Sequence, residues 1–127
     1  MKIGIIGVGN LGSSIANGLL KSGISPADLT LSEYKLGLLK SFEEKGCSLT
    51  TNNNELTQNA DIIIIAVKPF KCLEIVEEIK SSLNESKTIV SVVTGISIAE
   101  ILSSTSTKQK VARVMPNTAI STQESIS

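Results

Sequence analysis

The sequence has no histidine and no tryptophan, and its only aromatic side chains are Tyr34, Phe42 and Phe70. Without histidine, Ser-His-Asp and Cys-His catalysis, histidine acid–base chemistry and histidine metal sites are excluded. So few rings also argue against a row of base-stacking positions for single-stranded nucleic acid. Charge of one sign is missing: Lys and Arg number 12, Asp and Glu number 12, and the formal net charge is zero. No basic field exists to gather nucleic acid or an anionic membrane surface. Cysteine is scarce. Cys47 and Cys72 form neither a CxxC pair nor a metal-ligand spacing, as expected of reduced thiols in an intracellular protein, and no metal is expected. The longest uninterrupted apolar run, residues 62–67, falls far short of the roughly 20 residues that span a bilayer. The opening MKIGIIGVGN has one lysine and an apolar run broken by glycines, a poor signal peptide. These absences predict a soluble, cytoplasmic protein with no nucleic-acid or membrane partner.

What is present is a globular composition, 41% hydrophobic and 19% charged, in 127 residues, about one domain. Strand-like and helix-like segments alternate. Residues 2–7 form a continuous apolar strand. Residues 11–22 carry apolar side chains at 11, 15, 16, 19 and 20, a helical stripe, and Gly23 and Pro26 mark a turn. Strands are expected over 29–33, 47–50, 61–67, 88–93 and 111–115. Helices are expected over 35–45, 70–83 and 97–102, with a helical turn in 52–59. Gly46 suits the end of the second helix. Ser97 and Glu100 have the spacing of a capping box. The four consecutive isoleucines of DIIIIAV imply a strand buried on both faces. The pattern predicts an α/β fold: a Rossmann-type doubly wound, mostly parallel sheet with helices on both faces and strand order 3-2-1-4-5-6.

Five loops at the carboxyl ends of these strands carry the candidate chemistry. The first is G-V-G-N-L-G, Gly7 to Gly12, directly after the first strand and opening the first helix. Gly7 permits a tight turn, Gly9 lets a pyrophosphate approach the backbone, and Gly12 lets the helix lie close to the strand. The helix N-terminus offers N–H groups and partial positive charge to phosphates. The alternative is a tight strand–helix turn with no ligand. The second is Glu33, about 20 residues beyond Gly12, where a carboxylate accepts hydrogen bonds from ribose hydroxyls. That favours NAD and repels a 2′-phosphate, yet Ser32, Tyr34 and Lys35 can take such a phosphate with Glu33 turned away. Glu33 equally fits the first turn of the second helix. The third is AVKPF, residues 66–70, which places Lys68 at the mouth of the crevice and Pro69 at a helix start. A plain connector with a solvated lysine fits as well. The fourth is VVTGIS, residues 92–97, and the fifth is VARVMPNTA, residues 111–119. There Thr94, Gly95, Asn117 and Thr118 can face a ligand, or Asn117 and Thr118 can simply form a turn.

In their order and spacing, IGVGNLGSSIANGLLKSG, DIIIIAVKPF, IVSVVTGIS and VARVMPNTA resemble the pyrroline-5-carboxylate reductase family, and the resemblance runs over essentially residues 1–127. It implies reduction of 1-pyrroline-5-carboxylate to L-proline with NADPH or NADH, the last step of proline biosynthesis. It further implies that Gly7, Val8, Gly9, Asn10, Leu11 and Gly12 hold the cofactor. Ser32 and Glu33 match the ribose region, and Asn53 matches a cofactor-contacting asparagine. Ala66, Val67, Lys68 and Pro69 match the family's AVKP loop. Val92, Val93 and Thr94 match the strand end by the nicotinamide, and Asn117 lies near nicotinamide and substrate. Two positions depart from the pattern. Tyr34 stands where many members have an arginine suited to a 2′-phosphate, and Ala119 replaces a proline.

Family members continue for about as long again, in an all-helical domain that swaps across a dimer and supplies most substrate contacts. Against that plan, residues 1–120 are an NAD(P)-binding domain and 121–127 begin a linker. Homo-oligomerisation would run through the further domain, and the 127 residues alone are expected to be inactive. The imine nitrogen protonates readily, so the missing histidine is no obstacle, and no residue is singled out as catalytic acid or base. Other readings are an F420-dependent NADP oxidoreductase, a relative of the 3-hydroxyacid dehydrogenases, or a non-catalytic dinucleotide-binding module.

Overall fold

The computed structural model describes residues 1–33, 39–93, 95–105 and 109–114. The β-branched runs become six strands: β1 (Ile3–Ile6), β2 (Leu29–Ser32), β3 (Ser48–Thr50), β4 (Ile62–Ile65), β5 (Thr88–Ser91) and β6 (Lys110–Arg113). Between them lie α1 (Asn10–Lys21), α2 (Lys40–Glu44), α3 (Asn53–Asn59), α4 (Pro69–Ile79) and α5 (Ile98–Ser104). The strands form one sheet in the order β3-β2-β1-β4-β5-β6, and every pairing is parallel. The sequence expectation of a doubly wound sheet is met.

The pleat of β4 divides its isoleucines between two cores. Ile63 and Ile65 pack with Leu56 of α3, with Cys72, Ile75, Val76 and Ile79 of α4, and with Ile101 of α5. Ile64, with partly buried Ile62, packs on the other face with Ala16 of α1 and Phe42 of α2. A central strand covered on both sides has no polar alternation, which is why DIIIIAV reads as it does.

Element ends differ from the expected ones for local reasons. Pro69 occupies the first turn of α4, since its missing N–H costs nothing there, and the helix passes into a 3-10 turn (Lys80–Ser82) instead of continuing to 83. The polar stretch after β3 is a full helix, because the Asn52 side chain accepts a hydrogen bond from the Glu55 N–H at 3.0 Å. Ser97 and Glu100 form the expected capping box of α5. Of the expected second helix, 40–44 is helical and 35–38, with Leu36, lies outside the described residues. The predicted end of the sixth strand, Met115, lies outside them too. Among the described residues, no helix is long and apolar enough to cross a membrane.

Candidate functional site

The carboxyl ends of the central strands build a crevice from the glycine turn upward. Gly7 ends β1 at a φ of +87°, a conformation that L side chains rarely adopt. A Cβ on Gly7 would lie 2.5 Å from Val67 Cγ1 and 2.9 Å from the Ala66 carbonyl oxygen. The Gly7 N–H donates to the Ser32 carbonyl at 3.0 Å, which ties the turn to β2. Gly12 lies in the first turn of α1, where a Cβ would sit 2.5 Å from the Gly7 carbonyl oxygen. The helix therefore lies directly on the turn. Gly9 is different, since among the described residues nothing approaches within 4 Å of where its Cβ would be. It is the N-cap of α1, and among the described residues no side chain caps that helix and no acidic residue sits in its first turn. The first N–H groups of α1 lack intrahelical partners and face open space beside a residue without a side chain, a cradle that fits a pyrophosphate.

The crevice, about 540 Å³, is lined by Gly7, Gly9, Asn10 and Leu11, by Glu33 beyond β2, and by Ala66, Val67, Lys68, Phe70 and Lys71 beyond β4. Glu33 also borders a smaller recess with Ile6, Gly7, Ser32, Thr51 and Asn53. Asn53 is 6% exposed, and its amide is fixed at both ends. Its Oδ1 accepts from Ser32 Oγ at 2.5 Å and its Nδ2 donates to Glu78 Oε1 at 3.2 Å. The turn before it is set by Thr50, whose hydroxyl accepts from the Asn52 N–H and donates to Glu55 Oε1, each at 2.9 Å. Residues from β2, the β3–α3 turn and α4 are thus locked together beside Glu33.

Most residues singled out in the sequence converge here. Gly7, Gly9, Asn10, Leu11, Glu33, Ala66, Val67 and Lys68 line the crevice, and Ser32 and Asn53 line the recess. Others do not present side chains to it. Val8, Val92 and Val93 are buried in the cores, at 1%, 6% and 3% exposure, so only their backbones can face a ligand. Gly12 packs under the turn, and Pro69 starts α4. Thr94 and Asn117 lie outside the described residues. Phe70, Lys71 and Thr51 were missed as site residues, although Phe70 directly follows AVKP. The two thiols stand apart from the site. Burial pushes Cys47 and Cys72 up; Lys45 pulls Cys47 partly back, and a Ser91 hydrogen bond pulls Cys72 back while Glu100 pushes it up.

An all-parallel sheet in this order, a glycine turn under a helix N-terminus and an acidic residue closing β2 define a Rossmann-type α/β domain. Residues 2–95 match a family model described as "NADP oxidoreductase coenzyme F420-dependent". The chain belongs to that family. It is 36% identical over 121 residues to a pyrroline-5-carboxylate reductase of Escherichia coli, covering 92% of this chain and 44% of that protein. It is 35% identical over 118 residues to pyrroline-5-carboxylate reductase 3 of Danio rerio, covering 92% and 41%. A crystal structure of Plasmodium falciparum pyrroline carboxylate reductase with NADP bound superposes with a TM-score of 0.79 at 29% identity, covering 93% of this chain and 43% of that one. The chain thus spans less than half the length of these relatives.

Proposed function

We propose that the chain is the dinucleotide-binding part of an NAD(P)H-dependent pyrroline-5-carboxylate reductase, which reduces 1-pyrroline-5-carboxylate to L-proline. The observation that carries this reading is similarity to reductases of that name along nearly all of the chain, with the glycine cradle falling where a dinucleotide fold needs it. In this reading the backbone of Gly7, Val8, Gly9, Asn10, Leu11 and Gly12 binds the pyrophosphate. Ser32, Glu33 and Asn53 orient the adenosine ribose, and Ala66, Val67, Lys68 and Pro69 form the facing wall. Val92, Val93, Thr94 and Asn117 belong to the nicotinamide side. When bound, the reduced nicotinamide supplies the hydride for the C=N bond. The chain's task is orientation and exclusion of water, which needs no histidine. Residues 1–120 form the binding domain and 121–127 lead toward the further length that the relatives have, through which we propose a homo-oligomer forms. Residence in the cytoplasm is supported by two free, buried thiols.

Binding of NADH and NADPH to the 127-residue chain, with turnover of 1-pyrroline-5-carboxylate by this chain fused to the remaining length of the Escherichia coli reductase, is the test. Binding in both and turnover in the fusion are expected. A folded chain that binds neither dinucleotide would overturn the reading. The family description favours one rival, reduction of coenzyme F420 with NADPH. F420 turnover without pyrroline turnover would select it.

A further inference from the structure

The first turn of α4 carries a ring that the core does not use. Phe42 is 3% exposed, whereas Phe70 is 76% exposed. Helix α4 turns Cys72, Ile75, Val76 and Ile79 inward. At about 100° per residue, Phe70 lies roughly 200° round from Cys72, away from that stripe. A single exposed apolar side chain is ordinary on a protein surface. This one stands in the wall of the crevice that also contains Gly7, Gly9 and Glu33.

The sheet order decides what it faces. β1 pairs with β2 on one side and β4 on the other. Glu33 continues β2 and Phe70 follows β4, so they rise on opposite walls above the end of β1, with the glycine turn as the floor. An adenosine diphosphate with its phosphates on the Gly9 cradle and its ribose hydroxyls toward Glu33 places its base beyond the ribose, between those walls. Ala66 and Val67 give that space an apolar flank, and Phe70 gives it an aromatic face. An aromatic ring serves as a stacking platform for any base, because every base has a π-face.

We infer that Phe70 is a positioning residue of this crevice, the platform on which the adenine of a bound dinucleotide stacks. The inference rests on the dinucleotide reading above, and it adds a residue outside the glycine turn, the β2 end and the AVKP loop. Because stacking is indifferent to the ribose 2′ position, Phe70 adds affinity for NADH and NADPH alike.

Calorimetric titration of the protein and its Phe70→Ala and Phe70→Tyr variants with NADH, NADPH and ADP-ribose tests this. Phe70→Ala should weaken all three by about tenfold or more, while Phe70→Tyr keeps the parent affinity. Both variants should melt where the parent does, since the ring contributes little to the core. Unchanged ADP-ribose affinity in Phe70→Ala overturns the platform. So does a loss confined to the dinucleotides, which would assign the ring to the nicotinamide end. A change in self-association by sedimentation, with ADP-ribose affinity intact, overturns it in favour of a second copy of the chain. If the parent protein binds neither dinucleotide nor ADP-ribose, the dinucleotide reading itself fails and the platform with it.

Discussion

Gly9 and Gly12 stand in one helical turn and answer to different demands. A Cβ at Gly9 meets no described atom within 4 Å, and its φ of −86° is negative while its ψ of −147° falls outside the usual strand and helix regions. Gly9→Val should therefore lower the melting temperature less than Gly12→Ala does, and weaken NADH binding by about tenfold or more, since the side chain takes the pyrophosphate's place. A Cβ at Gly12 strikes the Gly7 carbonyl oxygen at 2.5 Å, so Gly12→Ala should lower stability by about 1–3 kcal/mol, read by thermal melting. Equal effects of the two changes on stability would sink the distinction. The thiols give a second expectation at this scale. A native thiol value raised above the ordinary 9.0 contributes stability below that value, and the contribution is lost as pH rises through the native value. Melting temperature should thus decline above about pH 9, and iodoacetamide should label Cys47 and Cys72 slowly until the protein is unfolded. At residue level the glycines, Glu33 and the AVKP loop were legible in the sequence, because their backbone chemistry is local. Val8, Val92 and Val93 were not, since which way a side chain points depends on the parity of the pleat against layers that sequence does not display. Phe70 was missed because its exposure is a tertiary result.

Helix α3 shows how an element can be held by a residue far from it in sequence. Lys87, just before β5, is 8% exposed. Its Nζ donates to the Ala60 carbonyl at 2.6 Å and to the Gln58 carbonyl at 3.2 Å, meeting acceptors at the C-terminal end of α3. Gln109 Nε2 donates in turn to the Lys87 carbonyl at 2.6 Å, which links β6 to the same point. Lys87→Met keeps the apolar stem and removes the charged donor. It should cost about 1–3 kcal/mol and lower the melting temperature by several degrees, as buried carbonyls lose their partner. Because α3 also carries Asn53, the change should weaken dinucleotide binding less than it weakens the fold. The reverse ranking, by melting and titration, would contradict a structural role. The alternation of strands and helices was legible from hydrophobic period alone. The role of Lys87 was not: in sequence it is one lysine in a polar connector, and only the parallel pairing of β4 with β5 brings residue 87 beside residue 60.

At the scale of the whole molecule, strand order was legible because β-branched strands alternating with helices and right-handed crossovers leave few arrangements. That order sets the position of the crevice. β1 lies between β2 and β4, and the chain leaves the sheet from these strands in helices on opposite faces, so their carboxyl ends open a gap that the cores do not fill. A ligand that bridges this gap touches the glycine turn, the β2 end and the start of α4 at once, and binds the folded state alone. Such a ligand must raise stability through mass action, by about 2.7 kcal/mol at a hundred times its dissociation constant. For a domain of this size that is a rise of roughly 10 °C in melting temperature. NADH or NADPH should give this shift in the parent chain, and Gly9→Val, measured against its own ligand-free melting temperature, should lose most of it. The same 127 residues span less than half of the reductases they resemble, so cofactor-linked stabilisation should come without appreciable reduction of 1-pyrroline-5-carboxylate. Turnover by this chain at the rate of its fusion to a reductase's remaining length would place the substrate site within these residues. A melting temperature unmoved by either dinucleotide would overturn the dinucleotide reading of the crevice.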